Sequence, residues 1–116
     1  MGTIACSRIG NTYIVFMRVI ARNTLIAFYT AHPETEASLT RWYSIASKAA
    51  WASMNDIQAA FPKAKILNAD RVRFEVAGGN YRMIAAFDFG RQVAFIKFVG
   101  THAEYDKTDA LTVSQF

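Results

Sequence analysis

Three apolar stretches separated by turn residues constrain the fold of this chain more than any other feature. Residues 71–76, "RVRFEV", alternate charged and apolar side chains, as a strand with one solvated face does. Residues 78–80, "GGN", have the composition of a hairpin turn. The apolar stretch 81–89 predicts a central strand, and "VAFIKFV" at 93–99 predicts a third strand that ends at Gly100. The three stretches therefore predict an antiparallel meander.

The sequence before the meander predicts helices. Asn23 is positioned to cap a helix over Thr24–Ala31, and proline then starts a second helix over Pro33–Lys48. Ser53 is the predicted cap of a third, short helix, which Pro62 closes. Helices followed by a meander predict an α+β domain, with N-terminal helices packed on one face of a small antiparallel β-sheet.

The length of 116 residues suits one domain, which we place at residues 17–116. "RVIA", residues 18–21, could join the sheet as an extra strand. Residues 1–16 are interpreted as an N-terminal extension. They form either an added strand, since "TYIVF" could extend "RVIA", or an upstream start that the working protein does not need.

The composition restricts location and partners. The chain carries a formal net charge of +4, which favours an anionic partner, of which nucleic acid is the commonest. The alternative is a mildly basic soluble protein with no such partner. Cys6 is the only cysteine, so neither an internal disulfide nor a cysteine-based metal site can form within one chain. No apolar run approaches the ~20 residues that span a membrane, and a cytoplasmic protein with no membrane partner is expected.

The positive charge is concentrated on the predicted sheet. Residues 63–97 contain seven basic residues against three acidic ones. The basic residues are Lys63, Lys65, Arg71, Arg73, Arg82, Arg91 and Lys97. These cations predict a surface that receives phosphates. The alternative is structural, with Arg82 and Lys97 paired to Asp88 and Glu104.

Titratable residues gather where the last predicted strand stops, in "THAEYDK", residues 101–107. Breaking a phosphodiester by attack of the ribose 2′-hydroxyl needs a base, an acid and cations for the transition state. His102 and Tyr105 could transfer the protons, and Arg82, Lys97 and Lys107 could stabilise the charge. A cation site at His102, Glu104 and Asp106 is the weaker alternative, since the spacing matches no metal motif. Thr101 as the cap of a short helix is compatible with either site.

Two other residues are given structural roles at this stage. His32 lies beside Pro33 and is interpreted as a solvent-facing turn residue. Tyr81 flanks the basic strands and could stack on a base, but core packing is the preferred interpretation.

The motifs "NYRMIAAFDF" at 80–89 and "VAFIKFVGTHAEYDK" at 93–107 resemble the signature of the HigB toxins, in the RelE-like superfamily of toxin–antitoxin systems. The resemblance covers residues 17–110. It implies helices packed on an antiparallel sheet. It also implies a metal-independent endoribonuclease, an mRNA interferase without a cofactor, that cleaves mRNA on the ribosome and arrests translation and growth. The implied partner is a cognate helix-turn-helix antitoxin, HigA-like.

The resemblance also bears on single residues. Arg82, Lys97, His102 and Tyr105 match the family pattern, which implies a catalytic role for each. Arg71 and Arg73 match its basic strand more loosely. The predicted RNA-binding residues are Arg71, Arg73, Lys63, Lys65 and Lys107. The alternative function is a non-catalytic module of the same fold that binds RNA or the antitoxin.

Overall fold

The structure, a computed structural model, describes residues 6–9 and 12–116, with side chains from Ile14 onward. Four α-helices occur in this part of the chain: α1 (Arg22–Ala31), α2 (Glu36–Ala46), α3 (Met54–Ala60) and α4 (His102–Asp106). The strands are β1 (Cys6–Ile9), β2 (Thr12–Val15), β3 (Arg18–Ile20), β4 (Lys65–Ile66), β5 (Arg71–Val76), β6 (Tyr81–Asp88) and β7 (Val93–Thr101). None of the described helices is long and apolar enough to cross a membrane.

Five strands form one sheet in the order β3-β7-β6-β5-β4. The predicted meander is confirmed: β5 pairs antiparallel with β6, and β6 pairs antiparallel with β7. The α+β class is confirmed as well. The prediction of a purely antiparallel sheet is wrong, because β3 lies parallel to β7, with Val19 opposite Ala94. The connection between β3 and β7 contains helices and the other strands, and so provides the length that a parallel pair requires.

The main core lies between the helices and one face of the sheet. Leu25, Leu39, Trp42 and Ile57 represent α1, α2 and α3 in it, and each is at most 4% exposed. Alternate strand residues complete this core: Val72, Phe74, Val76, Met83, Ala85, Phe87, Ala94, Ile96 and Val99. The period of two in "RVRFEV" thus separates a buried face from a charged one, as the sequence predicts.

The opposite face of the sheet, here called the outer face, carries Arg71, Arg73, Arg82, Ile84 and Phe98. Ile84 and Phe98 are almost fully buried although they lie outside the main core. Tyr105 of α4 packs edge-on against Phe98, with ring centroids 6.2 Å apart. The outer face is therefore partly covered rather than open.

Residues 107–116, here called the C-terminal segment, are attached to the sheet at two places. The Arg71 guanidinium donates to the carbonyls of Ala110 and Val113, at 3.1 and 2.7 Å. At the other side of the sheet, the Gln115 amide donates to the Lys97 carbonyl, and its side-chain oxygen accepts from the Val99 amide. The segment therefore runs from β5 to β7.

Several predicted boundaries are wrong. Asn23 lies inside α1, whose cap position is Ala21, so it does not cap the helix. Pro33 begins a short 3-10 turn, and α2 starts only at Glu36 and ends at Ala46. Gly100 does not stop the last strand. It lies in the strand opposite Arg82, where the Phe98 ring and the Glu104 carboxylate leave little room for a side chain.

Residues 6–9 and 12–15 form a separate pair of strands. β1 and β2 pair antiparallel with each other, in a two-stranded sheet of their own. The joining of "RVIA" to the main sheet is confirmed, since β3 covers most of it. β2 does not extend β3 within that sheet. The prediction of an extension over residues 1–16 falls partly outside the described residues, which omit 1–5 and 10–11.

Candidate active site

Helix α4 leaves the sheet directly from the end of β7, and Thr101 sets this junction. The Thr101 hydroxyl accepts from the Glu104 amide at 3.1 Å, and the Glu104 carboxylate accepts from the Thr101 amide at 2.8 Å. This reciprocal pair is a capping box, which confirms Thr101 as the predicted cap. The His102 amide also donates to the Asn80 carbonyl at 3.0 Å, which fixes the first turn of α4 against the start of β6.

His102 is exposed and has a carboxylate partner. Its Nδ1 lies 3.0 Å from Oδ2 of Asp106, one helical turn further along α4. Both side chains are more than half exposed. A carboxylate at Nδ1 favours the tautomer that carries the proton there and leaves Nε2 as the acceptor. The arrangement suits an imidazole that removes a proton from a substrate hydroxyl.

Tyr105 lies on the same short helix but is half-buried through its contact with Phe98. Phe98 is opposite Ile84 on the outer face, and Arg82 is two residues before Ile84 on the same face. Side chains two residues apart on one strand lie side by side. The register therefore brings Arg82 of β6 next to α4.

Arg82 is held at the turn between β5 and β6. Its Nη1 donates to the Gly79 carbonyl, and its Nε is buried without a partner among the described residues. Gly78 and Gly79 both have positive φ, which glycine adopts without steric cost. The turn thus allows a backbone carbonyl to reach the guanidinium and orient it beside the start of β6.

The structural ion pairs predicted for Arg82 and Lys97 with Asp88 and Glu104 do not form. Asp88, the expected partner of Arg82 or Lys97, lies 3.7 Å from Arg91 instead. Glu104 is bonded to Thr101. The pKa of Glu104 is lowered from its ordinary value of 4.5, first by the bond from the Thr101 amide and then by the Thr101 hydroxyl. The cations of the sheet are therefore not neutralised in the proposed pairs.

Lys97 is displaced from the cluster at α4. The register shifts between Ile84 and Ala85, which makes Lys97 the extra residue of a bulge in β7. Its ammonium lies 5.5 Å from the ring centre of Phe95. Four residues of extended strand, roughly 13 Å, separate Lys97 from Thr101. The structure thus does not bring Lys97 together with His102.

The predicted RNA-binding residues divide into half-buried and exposed members. Arg71 is bound to the C-terminal segment, and Arg73 lies 3.6 Å from Glu75 and donates to the Lys63 carbonyl. Lys63 and Lys65 are exposed at the edge of the sheet. Lys107 is exposed just after α4, close enough for its charge to lower the pKa of Glu104.

The weaker alternative of a metal site finds no geometric support. His102 and Asp106 meet, but Glu104 turns back to the end of β7. Within the described part of the chain, no group of three or more His, Cys, Asp and Glu side chains could hold a metal ion.

A second polar cluster, which the sequence interpretation missed, lies behind α4. The Tyr81 hydroxyl donates to the Glu34 carboxylate, a bond that lowers the pKa of Glu34 and raises that of Tyr81. His32 is not the predicted solvent-facing turn residue. It is half-buried and stacks on Phe28, with ring centroids 4.3 Å apart, and its edge meets Tyr81. The spacing of Phe28 and His32, one helical turn apart, was the available signal.

The helices packed on a five-stranded mixed sheet are consistent with a RelE-like fold. The HigB toxin family, described as the RelE-like toxic component of a toxin–antitoxin system, matches residues 35–108. This match covers more than half of the chain, so the chain belongs to that family and is a toxin of such a system. The predicted family is thereby confirmed.

A relative from Escherichia coli O6:H1 is described as mRNA interferase HigB. The two sequences are 26% identical over an alignment of 98 residues, and the alignment spans 78% of this chain and 90% of the relative. The description agrees with the activity that the sequence predicts. The family match includes α4 and the strands β5, β6 and β7 that position it.

Proposed function

We propose that this chain is an endoribonuclease that cleaves mRNA and thereby inhibits translation. The observation that carries the proposal is the position of α4, which holds the exposed His102–Asp106 pair and Tyr105. In the register of the sheet, Arg82 lies opposite Gly100, two residues before the start of this helix. Membership of the toxin family and the description of the E. coli relative support the same conclusion.

In the proposed reaction, Nε2 of His102 accepts the proton of the ribose 2′-hydroxyl. Asp106 stabilises the imidazolium that forms, as a carboxylate does in hydrolase triads. The 2′-oxygen bonds to phosphorus as the bond from phosphorus to the 5′-oxygen breaks. Tyr105 donates its proton to that leaving oxygen, and the products are a 2′,3′-cyclic phosphate and a 5′-hydroxyl.

Cations stabilise the charge on the pentacoordinate phosphorus in this scheme. Arg82 is the nearest to α4 along the sheet, and Lys107 follows the helix directly. Lys97 lies in the bulge of β7 and is distant from His102. It therefore contributes only when the bound RNA is long enough to reach both residues. Lys63, Lys65 and Arg73 bind the RNA backbone, and Arg71 contributes by holding the C-terminal segment over the outer face.

The finer parts of the proposal concern partners. The substrate is mRNA on the ribosome, the reaction uses no metal, and the antitoxin is a HigA-like helix-turn-helix protein. A fold of this size has few surfaces that read the sequence of the RNA, and the ribosome provides the remaining positioning of the substrate.

Controlled expression in a bacterial host tests the proposal. His102→Ala and Arg82→Ala are expected to relieve growth arrest and to reduce message cleavage at least about 100-fold, the usual contribution of a general base or a positioned cation. Arg91→Ala is the matched control, because Arg91 is 84% exposed at the opposite end of β6. It should arrest growth like the wild type.

The outcomes separate the two functions. Full toxicity of both His102→Ala and Arg82→Ala would remove these residues from the site. Intact messages in cells that express the wild-type chain, together with retained antitoxin binding, would instead support the non-catalytic binding module.

A further inference from the structure

Helix α4, which carries the proposed base, is attached to the start of β6. The His102 amide donates to the Asn80 carbonyl at 3.0 Å, and Thr101 lies opposite Tyr81 in the antiparallel pairing of β6 with β7. The helix has only five residues, and none of them is buried. The position of His102 therefore depends on the position of Asn80 and Tyr81.

The turn before β6 restrains the start of this strand only weakly. Gly78 and Gly79 both have positive φ, and glycine restricts the backbone less than any other residue does. Arg82 bonds to the Gly79 carbonyl, but this contact joins β6 to its own turn and not to the core. A contact from outside the turn is therefore needed to fix the start of β6 relative to the rest of the molecule.

Tyr81 makes such a contact on the helix side of the sheet. Its hydroxyl donates to the Glu34 carboxylate, and its ring packs edge-on against Phe28 and His32, with ring centroids 5.8 and 5.6 Å apart. The bond lowers the pKa of Glu34 and raises the pKa of Tyr81, so a neutral hydroxyl faces an ionised carboxylate near neutral pH. Hydrogen bonds to a charged acceptor are stronger than those between neutral groups.

The junction that carries Glu34 is itself well fixed. Thr35 is fully buried, and its hydroxyl and its amide both donate to the His32 carbonyl, at 2.8 and 2.9 Å. Pro33, with its constrained φ, begins the 3-10 turn between α1 and α2. The bonds from Thr35 use the backbone of His32 and not its ring. The bond from Tyr81 to Glu34 thus joins the start of β6 to a fixed part of the helical layer.

We infer that Tyr81 and Glu34 are positioning residues for RNA cleavage: their bond fixes Asn80, and through it the first turn of α4 and His102. Neither residue touches the RNA, because Tyr81 packs against the helices while Arg82, the next residue of β6, lies on the outer face. A displacement of a reacting group by about 1 Å can slow a reaction by about 100-fold. The inference rests on the proposed nuclease function and adds two residues to it.

Tyr81→Phe tests the inference, because it removes only the hydroxyl. With the purified chain, ribosomes and a defined mRNA, kcat should fall at least about tenfold while KM changes by less than about twofold, since a misplaced base affects the chemical step and not RNA binding. Glu34→Ala should lose as much, and Glu34→Gln, which keeps an acceptor for the hydroxyl, should retain most of the wild-type kcat. Tyr81→Phe combined with Glu34→Ala should be no slower than either single variant, because both remove the same bond.

Hydrogen exchange measures the attachment of α4 independently of cleavage. In Tyr81→Phe, the His102 amide should exchange at least about tenfold faster than in the wild type. The Phe87 amide, bonded to the Asp70 carbonyl at the other end of β6, should exchange as in the wild type. Tyr29→Phe is the matched control, because Tyr29 is another half-buried tyrosine that packs against the main core. It should change neither kcat nor the exchange of the His102 amide.

Wild-type kcat in Tyr81→Phe, with wild-type exchange at His102, would overturn the inference. So would a raised KM at unchanged kcat, which would place Tyr81 in contact with RNA, or a Glu34→Gln variant as slow as Glu34→Ala. Equally faster exchange at Phe87 would indicate a general loss of stability and would also contradict positioning. If the wild-type chain does not cleave mRNA, the nuclease proposal fails, and exchange at His102 alone decides whether Tyr81 positions α4.

Discussion

Thr101 and Glu104 determine where α4, the helix that carries the proposed acid and base, begins after the sheet. Their reciprocal bonds start α4 within one residue of the end of β7, so His102 begins a helix rather than a loop. A helix of five residues has little intrinsic stability in water. The capping box and the contact of Tyr105 with Phe98 are therefore what keep the proposed acid and base in place.

The lowered pKa of Glu104 gives this cap a pH dependence. A carboxyl whose pKa is lower in the folded state stabilises the fold above its unfolded value, 4.5, and this contribution is lost as pH falls through the folded pKa. Glu104→Gln should lower the free energy of unfolding by about 0.5 kcal/mol near neutral pH, as expected for an exposed cap. The gap from the wild type should close as the pH falls below 4.5 and through the lowered pKa of Glu104.

Urea unfolding of both proteins from about pH 7 to about pH 3 measures this gap. Glu36→Gln, a similarly exposed carboxylate in the first turn of α2, controls for the loss of one charge. A gap that is constant over the whole pH range, or equal in both variants, would show that the cap does not stabilise α4 through the Glu104 carboxylate.

At the scale of elements, the C-terminal segment acts as a strap over the outer face. The Arg71 guanidinium holds two of its carbonyls, and Gln115 bonds to β7 on the other side. Arg71→Ala should therefore lower the free energy of unfolding by about 2 kcal/mol, since hydrogen bonds from a charged donor are the stronger kind. Arg91→Ala, at an exposed turn, should change it by less than about 0.5 kcal/mol.

Thermal and urea unfolding of the two variants compare these effects. An Arg71→Ala protein that is as stable as the wild type but binds RNA with a smaller salt dependence would contradict the strap. It would return Arg71 to direct contact with the RNA backbone.

Local sequence patterns predicted the strands whose side chains follow a regular pattern. The alternation in "RVRFEV" and the apolar run from Tyr81 specified β5 and β6, because side chains in a strand alternate between two environments. The parallel pairing of β3 with β7 was not predictable, since no short-range pattern records which distant strand is a neighbour. The strap also lacks periodicity and depends on backbone carbonyls, which every residue type has.

The site was predicted where its residues are consecutive. His102, Tyr105 and the Thr101 cap lie in one stretch, so the sequence placed them together, and the structure keeps them on one short helix. Lys97 is displaced by a bulge, which sequence does not reveal. His32 and Tyr81 meet only because the end of α1 folds against the start of β6.

At the scale of the whole molecule, the two faces of the sheet differ in what they contact. The helices cover one face and form the main core, while the outer face carries the cations and α4. The proposed nuclease site lies at the end of the outer face.

The central claim is that the ribose 2′-hydroxyl attacks the phosphodiester with His102 as the base. Its most direct test is the chemical identity of the cut ends, measured with the purified chain, ribosomes and a defined mRNA. The wild-type protein should leave a 2′,3′-cyclic phosphate and a 5′-hydroxyl, and His102→Ala should form these ends at least about 100-fold more slowly, while His32→Ala should not. A 3′-hydroxyl with a 5′-phosphate, or undiminished cleavage by His102→Ala, would contradict the claim.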